Sequence, residues 1–174
     1  PGCRRDFTMA DLSAFPITRR WRVVDPDVIQ LFSYPTPNGV KVSTMLEETG
    51  LPYRVHALDY VAGELDSPAY RRISAFGQVP VIEDDGMVVG ESGAILLYLA
   101  EKSRQLIPFD LAGRTQVVQW CFAALATVER PLFEMSMIGI GVRGPGARDG
   151  LASLRKEAGR WLEGLERRLD GREW

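Results

Sequence analysis

The spacing of apolar residues changes period several times along the first two-thirds of the chain. Ile29-Gln30-Leu31-Phe32-Ser33 reads as a strand, and Val42, Met45 and Leu46 then follow at helical spacing until Gly50 closes the segment. Leu51-Pro52-Tyr53-Arg54-Val55-His56-Ala57-Leu58 reads as a second strand, and Ser67-Pro68 with Tyr70 and Ile73 as a short second helix. Val79-Pro80-Val81-Ile82 and Met87-Val88-Val89 are short β-prone runs, and the Asp85-Gly86 pair between them signals a tight hairpin turn. Ile95, Leu96, Leu99 and Ala100 next give a helical apolar face. The order strand, helix, strand, helix, hairpin, helix is that of a thioredoxin-like α/β domain, in which the first helix start and the proline-led strand face the same site.

Beyond this the pattern is helical. From Thr115 to about Ile138, Val118, Trp120, Phe122, Leu125, Val128 and Leu132 mark one long helix that Pro131 should kink or locally break. Residues 139–150, rich in Gly and Pro, read as a loop. Leu151, Leu154, Ala158, Trp161, Leu162, Leu165 and Leu169 fall on one face of a final helix. Residues 1–27 have mixed charge and no clear period, and read as an extended arm. The expected organisation is an arm over 1–27, a thioredoxin-like α/β domain over 28–104, and the start of an all-α domain over 105–174.

Composition narrows the function classes. A chain of 174 residues, 45% hydrophobic, can bury one full domain and part of another. A net charge of −2 offers no basic footprint for nucleic acid, and no apolar run approaches the roughly 20 residues of a membrane span. Cys3 and Cys121 do not form a Cys-x-x-Cys pair and neither lies at a helix start, so protein dithiol chemistry is not expected. Cys121, in an apolar run, reads as a packed residue, and the two cysteines point to a reducing compartment. The single histidine, His56, has no metal ligands near it in sequence and reads as an ordinary strand residue.

The chemistry gathers at helix starts. Thr36 is a natural N-cap with Pro37 in the first helical position, so a hydroxyl and the Asn38 amide sit where helix N–H groups favour an anion. Ser92 reads as the cap of the last helix of this domain, with the Glu91 carboxylate beside it. Proline has no N–H, so a strand led by Pro80 leaves the backbone of Val79 outside a regular ladder and open to an extended peptide. For Ser92 or Pro80 alone, a plain cap or a plain turn is an adequate reading.

Thr36-Pro37-Asn38-Gly39-Val40-Lys41-Val42, Phe76-Gly77-Gln78-Val79-Pro80 and Glu91-Ser92-Gly93-Ala94-Ile95 together resemble the glutathione-binding half of bacterial cytosolic glutathione transferases, most nearly their Nu-like class. The likeness is strong from Ile29 to Lys102 and looser from Gln105 to Trp174. It implies that glutathione is a co-substrate whose sulfur meets Thr36, as hydroxyl donor, and Asn38. It further implies that Gln78 and Val79 hold the glycine and cysteinyl backbone with Pro80 as a cis proline, and that Glu91 and Ser92 grip the γ-glutamyl end. No metal is implied. The second substrate would be a small electrophile, disulfide or peroxide, and the protein a cytoplasmic homodimer with no nucleic-acid or membrane partner. Two departures stand out: Gln78 falls where the class more often has lysine, and the chain stops where relatives continue into further helices. Both leave open a second reading, a non-catalytic interaction module of the same fold.

Overall fold

The computed structural model describes residues 28–172. The arm expected over 1–27, and Cys3 with it, lies outside the described residues. The chain divides into two compact units at Ile107–Pro108.

In the first unit, strand β1 (Ile29–Ser33) leads into helix α1 (Pro37–Thr49), β2 (Tyr53–Ala57), a 3-10 turn (Glu64–Asp66) and helix α2 (Pro68–Ile73). The hairpin β3 (Val81–Asp84) and β4 (Met87–Gly90) follows, and helix α3 (Ser92–Ser103) ends the unit. The four strands form one sheet in the order β2-β1-β3-β4. β1 runs parallel to β2 and antiparallel to β3, and β3 is antiparallel to β4. Asp85 and Gly86 both take positive φ, 48° and 75°, the backbone of a primed turn whose twist suits a hairpin.

Every residue of β1 is buried because the central strand is covered on both faces. Alternation along it splits the core in two. Ile29 and Leu31 pack with Val42, Leu46, Ile82, Ile95 and Leu99 beneath α1 and α3, while Phe32 packs with Leu58, Tyr70 and Val81 beneath α2. At about 1.5–3 kcal/mol for each fully buried large side chain, these two clusters are the main force holding the helix starts against the sheet. His56 is also buried, facing the sheet rather than solvent, its ring stacked on Phe32 at 4.7 Å between centroids. His56 Nε2 lies 2.7 Å from Gln30 Oε1, and because Gln30 Nε2 donates to the Val28 carbonyl, Oε1 is the acceptor and His56 carries its proton on Nε2.

The second unit is helical: α4 (Leu111–Phe122), a π-helical stretch (Ala123–Val128), α5 (Glu129–Gly139), a 3-10 segment (Pro145–Gly150) and α6 (Leu151–Leu169). The sequence expects Pro131 to kink or locally break a long helix, and the regular helix is interrupted close to it. The break precedes the proline, because Pro131 has no N–H for the carbonyl four residues back and its ring crowds that carbonyl, so the chain widens into a π turn over 123–128. The expected loop over 139–150 is also partly ordered, as the 3-10 segment. On α6, Ala158 is buried and Leu162 is exposed, so the apolar face of that helix is only partly covered. Cys121 is half-buried in α4.

Among the described residues no helix is long and apolar enough to cross a membrane, and no cluster of metal-ligating side chains occurs.

Candidate functional site

Three segments meet at one end of the sheet. α1 starts just beyond the C-terminal end of β1. Phe32 pairs with Val81, so Val79 and Pro80, which precede Val81, run beside the residues that follow Phe32. Val81 also pairs with Gly90, which brings Glu91 and Ser92 to the same end.

The α1 start is built as its sequence requires. Thr36 is in extended backbone at φ −117° and its Oγ1 accepts from the Gly39 N–H at 3.1 Å, with Pro37 in the first turn. The hydroxyl proton of Thr36 goes to no acceptor among the described residues. Gly39 is buried, and a Cβ there would lie 2.4 Å from Ser33 Oγ and 2.5 Å from the Tyr34 carbonyl. Only glycine lets the first turn of α1 approach the end of β1 this closely.

The Val79–Pro80 peptide is cis. The backbone before it is clamped from below: Ser74 Oγ accepts from the Gln78 N–H at 2.9 Å and donates to the Gln78 carbonyl at 2.9 Å, and Tyr70 Oη donates to that carbonyl at 2.8 Å. Tyr70 is fully buried, and burial pushes its hydroxyl well above the usual tyrosine range against a smaller opposing effect of Ser74, so it remains a donor. Gln78 thus has its backbone bonds inside the protein. The Val79 backbone N–H and C=O have no partner among the described residues, an open edge for an extended peptide, and the Gln78 side chain is exposed beside it.

The α3 start departs from the sequence reading. Ser92 is not the cap: it is the first helical residue, and the cap position is Glu91, which makes no side-chain cap bond. Glu91 has φ 63° and ψ 116°, sparsely populated for a residue with a Cβ, and its side chain is exposed. Ser92 is buried, and its hydroxyl turns toward α1, 3.4 Å from Asn38 Oδ1 and 3.4 Å from Lys41 Nζ. Lys41 Nζ also donates to Asn38 Oδ1 at 2.7 Å.

The structure therefore brings Thr36, Asn38, Val79, Pro80, Glu91 and Ser92 to one end of the sheet, with Gln78 at its margin. Sequence reasoning overlooked Lys41, Ser74 and Tyr70. Lys41 stands three residues after Asn38 on a helix, a spacing at which side chains meet, whereas the Ser74–Gln78 contact is made within a loop and has no periodic signal in the sequence. Two helix N-termini, a free hydroxyl proton, a carboxylate and an open peptide edge can hold a small anionic peptide and stabilise a thiolate.

Fold and site together define a thioredoxin-like protein with an open backbone edge and, among the described residues, no dithiol in the site. The model of the glutathione S-transferase N-terminal domain matches residues 27–101. The Disulfide-bond oxidoreductase YfcG of Escherichia coli is 39% identical over 102 residues, which cover 55% of this chain and 47% of that protein. A glutathione transferase from Burkholderia graminis, solved with two glutathione molecules bound per subunit, is 40% identical with a TM-score of 0.84, the match covering 96% of this chain and 72% of that one. A glutathione transferase from Pseudomonas putida, solved with one glutathione disulfide bound per subunit, is 40% identical with a TM-score of 0.81, over 95% of this chain and 75% of that one. The chain belongs to the glutathione transferase family, and its match spans about half the length of the curated relative.

Proposed function

We propose that this chain binds glutathione as a co-substrate and uses its thiolate as a nucleophile, with reduction of small disulfides the leading reaction and conjugation to electrophiles or peroxide reduction the related ones. The observation that carries the reading is the meeting, at one end of the sheet, of the Thr36–Asn38 helix start, the open Val79 edge and the Glu91–Ser92 turn. The disulfide preference draws on the glutathione disulfide in the Pseudomonas putida relative and on the oxidoreductase relative. Glutathione supplies a thiol of ordinary pKa about 8.5, reactive as its thiolate toward an electrophilic carbon or a disulfide sulfur.

The residues then have separate tasks. Thr36 donates its hydroxyl proton to the sulfur while its oxygen holds the Gly39 N–H, so it acts as a hydrogen-bond donor and not as a base. The Asn38 amide and the N–H groups of the α1 first turn add further donors. Val79 pairs with the cysteinyl backbone, and Gln78 offers a neutral amide to the glycine carboxylate. Glu91 faces the γ-glutamyl ammonium, and Ser92 with the α3 start faces its carboxylate. A cytoplasmic homodimer suits this reading, because glutathione is abundant in reducing compartments and the first unit exposes Tyr60, Val61 and Phe76; sedimentation tests the dimer.

The test is turnover of a small disulfide by the full chain with glutathione. Thr36→Ala is expected to lower turnover on the order of 10- to 1,000-fold. It should also cost about 1 kcal/mol of stability through the lost cap. Thr36→Ser, which keeps both the cap and the proton, is expected to retain most of both. Wild-type turnover in folded Thr36→Ala would refute the sulfur-binding role.

A further inference from the structure

We propose that Lys41 is a positioning residue of this site, one that fixes which face of the Asn38 amide meets the thiol; the proposal rests on the glutathione reading above. An ammonium group has only donors, so the Asn38 atom 2.7 Å from Lys41 Nζ must be the carbonyl oxygen, and the amide cannot flip without setting N–H groups against N–H groups. The Ser92 hydroxyl, 3.4 Å from the same oxygen, reinforces that orientation. Asn38 Nδ2 makes no hydrogen bond among the described residues and is left as the open donor at the helix start.

Lys41 also reaches Ser92 Oγ at 3.4 Å, so one half-buried side chain ties the start of α1, which would meet the sulfur, to the start of α3, which would hold the γ-glutamyl end. Removing the ammonium frees the amide to rotate. When flipped, Asn38 would present an oxygen to the sulfur, which repels a thiolate instead of stabilising it. Lys41 acts through Asn38 and Ser92 and need not touch the substrate.

The test follows thiolate ultraviolet absorbance of bound glutathione against pH, using the full chain, in wild type, Lys41→Met, Lys41→Arg, Asn38→Ala and the Lys41→Met/Asn38→Ala pair. Lys41→Met is expected to raise the pKa of the bound thiol by about one unit, a tenfold loss of thiolate below that pKa. Lys41→Arg, again donor-only, restores most of it. In the Asn38→Ala background Lys41→Met adds little, since the two act as one unit. A thiol that titrates as in wild type in Lys41→Met, or additive effects in the pair, would overturn the positioning role while glutathione binding stands. A wild-type chain that binds no glutathione would overturn the binding reading and this one together.

Discussion

Glu91 is the residue at which chemistry and backbone are most plainly at odds. Its φ of 63° with ψ of 116° is a conformation that only glycine adopts freely, and holding a residue with a Cβ there costs about 1–3 kcal/mol. The site retains a carboxylate in that position. Glu91→Gly is therefore expected to stabilise the first unit by about 1 kcal/mol in urea unfolding while weakening glutathione binding about tenfold or more. A variant that loses stability would place the strain elsewhere; one that binds as wild type would remove Glu91 from the site. Gly39 has the opposite logic, since there the absent Cβ is what allows α1 to seat against Ser33 and Tyr34.

At the scale of elements, the loop between α2 and β3 is positioned from below by two side chains of the α2 segment. Ser74 both donates to and accepts from Gln78, and Tyr70 completes the Gln78 carbonyl. Ser74→Ala removes two of these bonds at once, and the freed loop is expected to raise the Kd for glutathione about three- to tenfold with the helical content unchanged, as calorimetry and circular dichroism would read. The same scale shows what a sequence can disclose. Thr36-Pro37, Gly50 and Asp85-Gly86 act through their own backbone preferences, so the start and end of α1 and the β3–β4 turn were legible. Ser92 looked like a cap because its residue type suits one, whereas its hydroxyl faces Asn38 and Lys41, 54 and 51 positions away, partners that no local pattern discloses. The π turn before Pro131 was not legible either, since a missing N–H can be absorbed by a kink or by a wider turn, and surrounding packing chooses between them.

For the whole molecule, one titration should dominate stability near neutral pH. The chain has a single histidine, and burial, with the Arg54 charge as a smaller effect, lowers the pKa of His56 below its usual value. The folded protein therefore resists a proton that the unfolded chain accepts below about pH 6.5. Stability is expected to be full above that pH and to decline as the pH falls toward 5. His56→Phe, which stacks on Phe32 without titrating, should flatten the profile in this window even if it is less stable overall. A wild-type profile that is flat from pH 7 to 5 would contradict the buried neutral state. Glu83 has the opposite sign: burial raises its carboxyl pKa, so its favourable contribution exists only at acidic pH and is lost as the pH rises through the carboxylate range.

Every role proposed above depends on a glutathione molecule held at one end of the sheet. Calorimetric titration of the full chain with glutathione, and then with glutathione disulfide, measures that binding. Saturable binding of one or both in the micromolar to low millimolar range is expected, with the disulfide favoured if reduction is the reaction. A folded chain that takes up neither would contradict those roles and leave a family member that keeps the fold as an interaction module.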